Sequence, residues 1–223
     1  MSDAPAADVL PARNIALLAQ VKYFIVENVR TARRFLKACD RSIDIDSLTF
    51  FELNNHTDPA DIPAMLIPLE QGHDTGIISE AGCPAIADPG AQVVEIAQRR
   101  GLRVEPLVGP SSILMALMGS GFNGQSFAFT GYLPIEQPRR TAAIKRLHQE
   151  AVRDRRTAIF IETPYRNNRL IKEIIDTLPP SALLCVASDI TGPDQSIVTL
   201  PLAKWRNRSY NYDKIPTIFL LFA

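Results

Sequence analysis

Four short apolar runs in the first half of the chain, at residues 21–26, 49–53, 75–79 and 103–107, are separated by stretches whose apolar residues recur at helical spacing. Those stretches lie at residues 28–38, 59–71 and 89–100, the last closed by Gly101 where a helix C′ residue belongs. A strand followed by a helix long enough to cross back over a sheet predicts parallel pairing, and with it an α/β fold. A fourth helical pattern covers residues 110–118. Composition agrees with this reading. At 223 residues, 46% hydrophobic and 22% charged, the chain can bury one large or two small cores, and fibrous, collagenous and largely disordered classes are excluded.

The second half has a different rhythm. A strand at residues 126–130, a charged helix from about Pro138 to Asp154 and a strand at residues 158–161 lead to Thr163-Pro164, an N-cap and N1 pair. After it Leu170, Ile171, Ile174, Ile175 and Leu178 recur on one helical face until Pro179-Pro180 stops the helix. Strands follow at residues 183–187, 196–200 and 217–222 with no long helix after Gln195, which predicts a mixed sheet with some antiparallel pairing. Two α/β domains are expected, residues 1–122 and 123–223. The literal G-x-G-x-x-G match at Gly119, Gly121 and Gly124 follows a helix and precedes a strand, the reverse of a dinucleotide site, so it reads as a linker.

The net charge of zero hides an asymmetry. Residues 1–122 hold 10 Lys/Arg against 15 Asp/Glu, and residues 123–223 hold 14 against 9. Nine basic residues fall between Arg139 and Arg169 (Arg139, Arg140, Lys145, Arg146, Arg153, Arg155, Arg156, Arg166, Arg169), against Glu150, Asp154 and Glu162. The cluster fits either a phosphate-binding face or a solvated helix surface. Residues 1–20 contain no continuous apolar leader, and no window approaches the ~18 apolar residues of a membrane span. Cys39, Cys83 and Cys185 form neither a disulfide framework nor a zinc cluster, and His56, His73 and His148 lack partners at ligand spacing. A reduced, cytoplasmic protein without a bound metal is expected.

Two loops carry the chemistry. The first, Ser79-Glu80-Ala81-Gly82-Cys83-Pro84 continuing to Ala87-Asp88-Pro89-Gly90, leaves the end of an apolar strand, where ligands of open α/β sheets bind. Gly82 lets a ligand press against the backbone, Pro84 stiffens the turn and Glu80 offers a carboxylate to a hydroxyl or ammonium group. Asp88-Pro89 also has a purely structural reading, as N-cap and N1 of the next helix. The second loop, Gly109-Pro110-Ser111-Ser112, repeats the strand-end logic with backbone N–H groups at a helix start, and Ser111 also reads as a cap. Glu162, before Thr163-Pro164-Tyr165-Arg166, either holds a ligand or pairs with Arg166.

In order and spacing these segments resemble the tetrapyrrole-methylase superfamily, within it the branch that methylates a ribose 2′-hydroxyl of small-subunit ribosomal RNA. Ser79 to Pro84 and Ala87 to Gly90 match that family's S-D-A-G-T-P and S-D-P-G, and Gly109 to Ser112 its P-G-P-S-A. Gly131-Tyr132-Leu133-Pro134 matches G-F-L-P, and Glu162 to Arg166 matches E-S-P-H-R. The resemblance implies a two-domain tetrapyrrole-methylase-like fold, with a parallel-rich N-terminal sheet and a mixed C-terminal one. It implies S-adenosylmethionine in the cleft between the domains, and a homodimer. Ser79, Glu80, Ala81, Gly82, Cys83, Pro84, Asp88, Gly109, Pro110, Ser111 and Ser112 would hold the cofactor from the first domain, and Gly131, Tyr132 and Glu162 from the second. Ribosomal RNA would dock on the basic C-terminal half.

The catalytic base is not assigned; Glu27, Glu80 and Asp88 qualify by type. Three segments depart from the family pattern. No strand with a T-P-I-G-N-like turn precedes Val21, Glu27-Asn28-Val29-Arg30 stands where E-D-T-R is expected, and Ser188-Asp189-Ile190-Thr191-Gly192 stands where R-E-[LI]-T-K is expected. They leave two other readings open, a non-catalytic cofactor-binding or regulatory paralogue and a methylase of small tetrapyrrole-type molecules.

Overall fold

A proline precedes each of the first two helices, Pro5 before α1 (Ala6–Val9) and Pro11 before α2 (Ala12–Leu18), where its fixed φ and missing N–H are tolerated. The computed structural model describes residues 5–80 and 82–223. These divide into two units, one ending at Ser111 and the other running from Ser112 to Ala223.

In the first unit, β1 (Tyr23–Val26) is the middle strand. It is followed by α3 (Val29–Cys39), β2 (Thr49–Glu52), a 3-10 segment at Ile62–Leu66 running into α4 (Ile67–Glu70), β3 (Thr75–Ile78) and α5 (Ala91–Arg99). The strands lie in the order β2-β1-β3, and both pairings are parallel, with Tyr23 opposite Thr49 on one side and Thr75 on the other. Alternate residues of β1 enter opposite layers, as a strand's period of two requires. Ile25 packs with Leu53, Ile62, Met65, Leu66, Val93 and Ala97; Phe24 and Val26 pack with Ala32, Leu36 and Ile43.

Two expected elements take another form. Residues 59–71 do not make one α-helix, because Pro63 and Pro68 remove the donors it needs; a 3-10 segment and a single α-turn form instead. Residues 103–107 join no ladder. Pro106 lacks a donor in mid-run, and α2 ties the segment down through Arg13 Nη2 to Glu105 Oε1 (2.8 Å) and Asn14 Nδ2 to the Val108 carbonyl (2.7 Å).

The second unit opens with α6 (Ser112–Ser120), β4 (Phe127–Tyr132), α7 (Gln137–Asp154) and β5 (Thr157–Ile161). A 3-10 turn at Pro164–Arg166 leads to α8 (Asn167–Thr177), β6 (Leu183–Ser188), β7 (Ser196–Pro201), α9 (Leu202–Trp205) and β8 (Thr217–Phe222). The sheet order is β4-β5-β8-β6-β7; β4 and β5 run parallel, and the other three pairings are antiparallel. This is the mixed sheet expected.

Its strands also alternate between two layers. Phe160, Leu184, Val186, Phe219 and Leu221 face Ile144 and Leu147 of α7, Leu170, Ile171 and Ile174 of α8, and Trp205. Ile159, Cys185, Ala187, Ile218 and Leu220 face Ala116 and Leu117 of α6. The glycines at 119, 121 and 124 therefore lie inside this unit, at the end of α6 and just after it. Among the described residues no helix is long and apolar enough to cross a membrane.

Candidate functional site

Because β1 and β3 are parallel neighbours with Val26 opposite Ile78, the residues that leave them, Glu27 and Glu80, emerge side by side at the carboxyl end of the sheet. The Glu80 N–H donates to Glu27 Oε2 at 3.4 Å, and Thr31 Oγ1 donates a short bond to Glu80 Oε1. Thr31 is placed by a capped helix start: Asn28 Oδ1 accepts from the N–H groups of Arg30 (2.9 Å) and Thr31 (3.2 Å). Asn28, where the family pattern has Asp, thus caps α3.

The loop beyond Glu80 is held in an uncommon conformation. Ala85 (φ 67°) and Ala87 (φ 62°) both lie in the left-handed region, which costs an L-residue energy and persists only where surrounding bonds enforce it. Here Ala85 N–H donates to the Pro89 carbonyl (3.4 Å) and Ile86 N–H to the Cys83 carbonyl (3.1 Å). Ser79, 5% exposed, donates through Oγ to the Gly82 carbonyl (3.4 Å), while Gly82 and Pro84 are exposed. Ala81 lies outside the described residues.

Cys83 Sγ lies 3.5 Å from the Pro110 carbonyl and donates to it, so the two loops singled out in the sequence are one cluster within the first unit. Gly109 is exposed there, Pro110 and Ser111 are half-buried, and Ser112 begins α6 in the second unit.

Asp88 does not cap the next helix. α5 starts at Ala91 behind Gly90, with no side-chain cap bond, because the left-handed residues in front of Pro89 delay the turn. One carboxylate oxygen of Asp88, Oδ2, is instead buried and accepts no hydrogen bond. Burial, then the Glu27 charge, and also Glu80, push its pKa up to about 6. Asp88, with an orphaned buried oxygen and the Glu27 and Glu80 charges opposing its own, makes a place that a cation stabilises. Gly82 and Gly109 beside them have nothing within 4 Å of where a Cβ would stand. A cationic ligand group suits this arrangement.

In the second unit, Gly131 and Tyr132 sit where the β4–β5 register shifts, and Tyr132 pairs with Ile161, so Glu162 emerges beside them. Tyr132 is 61% exposed, whereas Glu162 is buried and engaged by Arg166 and by Thr163 Oγ1 (3.2 Å). Arg140 and Glu173 escaped the sequence reading as a pair. Arg140 is 4% exposed, bonded through Nε to Glu173 Oε2 (2.8 Å) and through Nη1 to the Ile135 carbonyl (2.7 Å). Nothing in the local pattern separates a buried arginine from its solvated neighbours on a charged helix. Asp189 to Gly192 lie in the turn between β6 and β7: Asp189 Oδ2 accepts from Asp194 N–H (2.9 Å), and a Cβ at Gly192 would stand 2.1 Å from Asp189 Oδ1, so the family's Lys there requires the Asp189 side chain to move. Among the described residues no group of three or more His, Cys, Asp or Glu is placed to hold a metal ion.

A parallel sheet whose β3 runs into a strained polar loop, in one chain with a mixed five-stranded sheet, defines a two-unit α/β protein. The chain belongs to the tetrapyrrole (corrin/porphyrin) methylase family, whose model matches residues 6–205. It is similar to the ribosomal RNA small subunit methyltransferase I of Vibrio cholerae serotype O1, 30% identical over 192 residues that make up 86% of this chain and 64% of that protein. The chain thus spans less than two thirds of that relative's length. Among solved structures it is similar in fold to the methyltransferase CobJ (TM-score 0.62, 18% identity, 96% of this chain and 88% of that one). A uroporphyrin-III C-methyltransferase from Thermus thermophilus, complexed with S-adenyl homocysteine, is similar as well (TM-score 0.53, 16% identity, 96% of this chain and 91% of that one).

Proposed function

We propose that this chain is an S-adenosylmethionine-dependent methyltransferase whose acceptor is a ribose 2′-hydroxyl of small-subunit ribosomal RNA. The observation that carries the cofactor is the carboxylate group at the strand ends: Glu27, Glu80 and the strained-loop Asp88, with Asp88 held against its own charge. A sulfonium and an ammonium group relieve that repulsion. Gly82, Cys83 and Pro84, joined to Pro110 through the Cys83 thiol, form the wall against which the methionine and ribose parts lie, with Ser79, Ser111 and Ser112 as further hydroxyl partners. Gly131, Tyr132 and Glu162 are assigned to the same cofactor on the family resemblance. When bound, the cofactor supplies an activated methyl group; the residues named here hold and orient it and keep water away.

The acceptor rests on the similarity to the ribosomal RNA methyltransferase of Vibrio cholerae and on the basic excess of the second half. A homodimer is the expected assembly. Titration calorimetry with S-adenosylmethionine and S-adenosylhomocysteine tests the first step, and transfer of a labelled methyl group to unmethylated small ribosomal subunits tests the second. Binding of both ligands with methyl transfer to RNA supports the whole reading. Binding without transfer keeps the cofactor and removes the acceptor. No binding by a folded protein removes both.

A further inference from the structure

The parallel pair in the second sheet sets two chain exits side by side. β4 and β5 end at the same edge, and each chain leaves that edge to return as a helix, residues 133–136 into α7 and residues 162–166 into α8. Arg140, in the first turn of α7, bonds the first exit at the Ile135 carbonyl and reaches α8 at Glu173. Thr141 Oγ1 donates to the other Glu173 oxygen at 2.7 Å. Glu162, in the second exit, is engaged by Arg166. Arg140, Glu162, Arg166, Arg169 and Leu170 line one narrow cleft. Buried charge pairs of this kind contribute little net stability, but they fix the groups that make them.

The surface above this buried frame is unlike a solvated helix start. Three guanidinium groups, Arg140, Arg166 and Arg169, meet only two engaged carboxylates, Glu162 and Glu173, and one positive charge is left over. That charge belongs to Arg169, which is exposed and has no acidic partner among the described residues. By contrast, Arg139, Arg146, Arg153 and Arg156 are engaged by Glu136, Glu150 or Asp154. Large apolar side chains stand in solvent at the same edge: Tyr165, next to Arg166, is 74% exposed, and Ile135, whose carbonyl Arg140 holds, is 73% exposed. An exposed ring on the residue before Arg166, at the edge where Arg169 carries an unmatched positive charge, matches a nucleotide. The ring face takes an unstacked base, and the guanidinium takes the phosphate.

We propose that the carboxyl-end face of β4 and β5, formed by Tyr165, Arg166 and Arg169 with Ile135 at its rim, is a binding site for unpaired RNA. A base stacks on Tyr165 and the adjoining phosphate lies on Arg169 and Arg166. The site rests on the reading of RNA as the acceptor and gives it a location. It selects single strands over duplex, because a paired and stacked base has no free face to offer the ring.

The test is fluorescence anisotropy of a labelled, short, mixed-sequence single-stranded RNA and of a labelled RNA hairpin, each titrated with the full chain over a range of salt. Tight binding of the single strand over the hairpin is expected. Tyr165→Ala weakens it about tenfold with the salt slope unchanged, and Tyr165→Phe retains it. Arg169→Ala weakens it and lowers the slope of log K against log salt by about 0.7, one phosphate contact on a single strand. Thermal unfolding and calorimetry with S-adenosylmethionine stay at wild-type values in all three variants. Wild-type affinity for RNA in both alanine variants overturns this site while leaving RNA as acceptor. Failure of the wild-type chain to bind either RNA at low salt overturns the site and the acceptor together.

Discussion

Burial and the charges of Glu27 and Glu80 disfavour the ionised form of Asp88, so its pKa stands at about 6 where an isolated aspartate has 3.8. A carboxyl group with a raised folded pKa contributes most to stability below its unfolded pKa, and that contribution is lost as pH rises through about 6. Asp88→Asn is therefore expected to unfold at a higher temperature than the wild type at pH 8, with the difference closing toward pH 4, as followed by circular dichroism. The same charge attracts a cationic ligand. Affinity of the wild type for S-adenosylmethionine should rise as pH passes about 6, whereas Asp88→Asn should bind weakly and with a flatter profile. Equal pH profiles for the two proteins would remove Asp88 from the site. For the loop glycines the choice of position matters. Gly82 has φ 82°, so a side chain there strains the backbone whether or not a ligand comes near. Gly109 has no such φ and open space around its missing Cβ, so Gly109→Val should fold normally and lose cofactor affinity by at least tenfold. An unchanged calorimetric titration would place the cofactor elsewhere.

Where residues had one dominant local reason to fold, the elements were legible. α3, α5, α7 and α8 follow apolar residues at helical spacing, and the strands of both sheets follow β-branched and aromatic runs. The cap of α3 shows how small a reason suffices: Asn28→Ala should lower stability by about 1 kcal/mol in chemical unfolding and Asn28→Asp by much less, since either oxygen bonds the same two N–H groups. Equal loss in both would mean that the cap bonds contribute nothing. Legibility failed where a second force overrode the pattern. The run at 103–107 is apolar enough for a strand, but Pro106 and the hold of Arg13 and Asn14 keep it out of the sheet. Pro63 and Pro68 break residues 59–71 despite their helical spacing. The two site loops could be picked out from their Gly and Pro content, but not the thiol bond that joins them. Asp88 looked like a cap because the left-handed alanines that displace it leave no mark on composition.

At the scale of the whole molecule, the sequence marks two units more clearly than it marks the cut between them. Glycines crowd residues 119–124, which draws the eye to Phe122, but the helix before them serves the second sheet. α6 covers the face made by Ile159, Cys185, Ala187, Ile218 and Leu220, and the Ser120 carbonyl accepts from Thr199 Oγ1 at 2.8 Å. The opposite face of that sheet is covered by α7, α8 and α9, so residues 112–223 contain both layers of their own core. A sheet with one apolar face uncovered presents a large hydrophobic patch and unfolds or associates. A fragment of residues 112–223 should therefore unfold in one cooperative transition and bind little of a hydrophobic dye. A fragment of residues 123–223, lacking α6, should bind the dye strongly, melt without a sharp transition or aggregate. Cysteine reactivity gives an independent readout, since burial holds the Cys185 thiol at a pKa of about 11 in the intact unit. Cys185 should resist a thiol reagent in the longer fragment and react in the shorter one. If both fragments melt cooperatively and protect Cys185 alike, α6 is not part of the second core and the boundary belongs further along the chain.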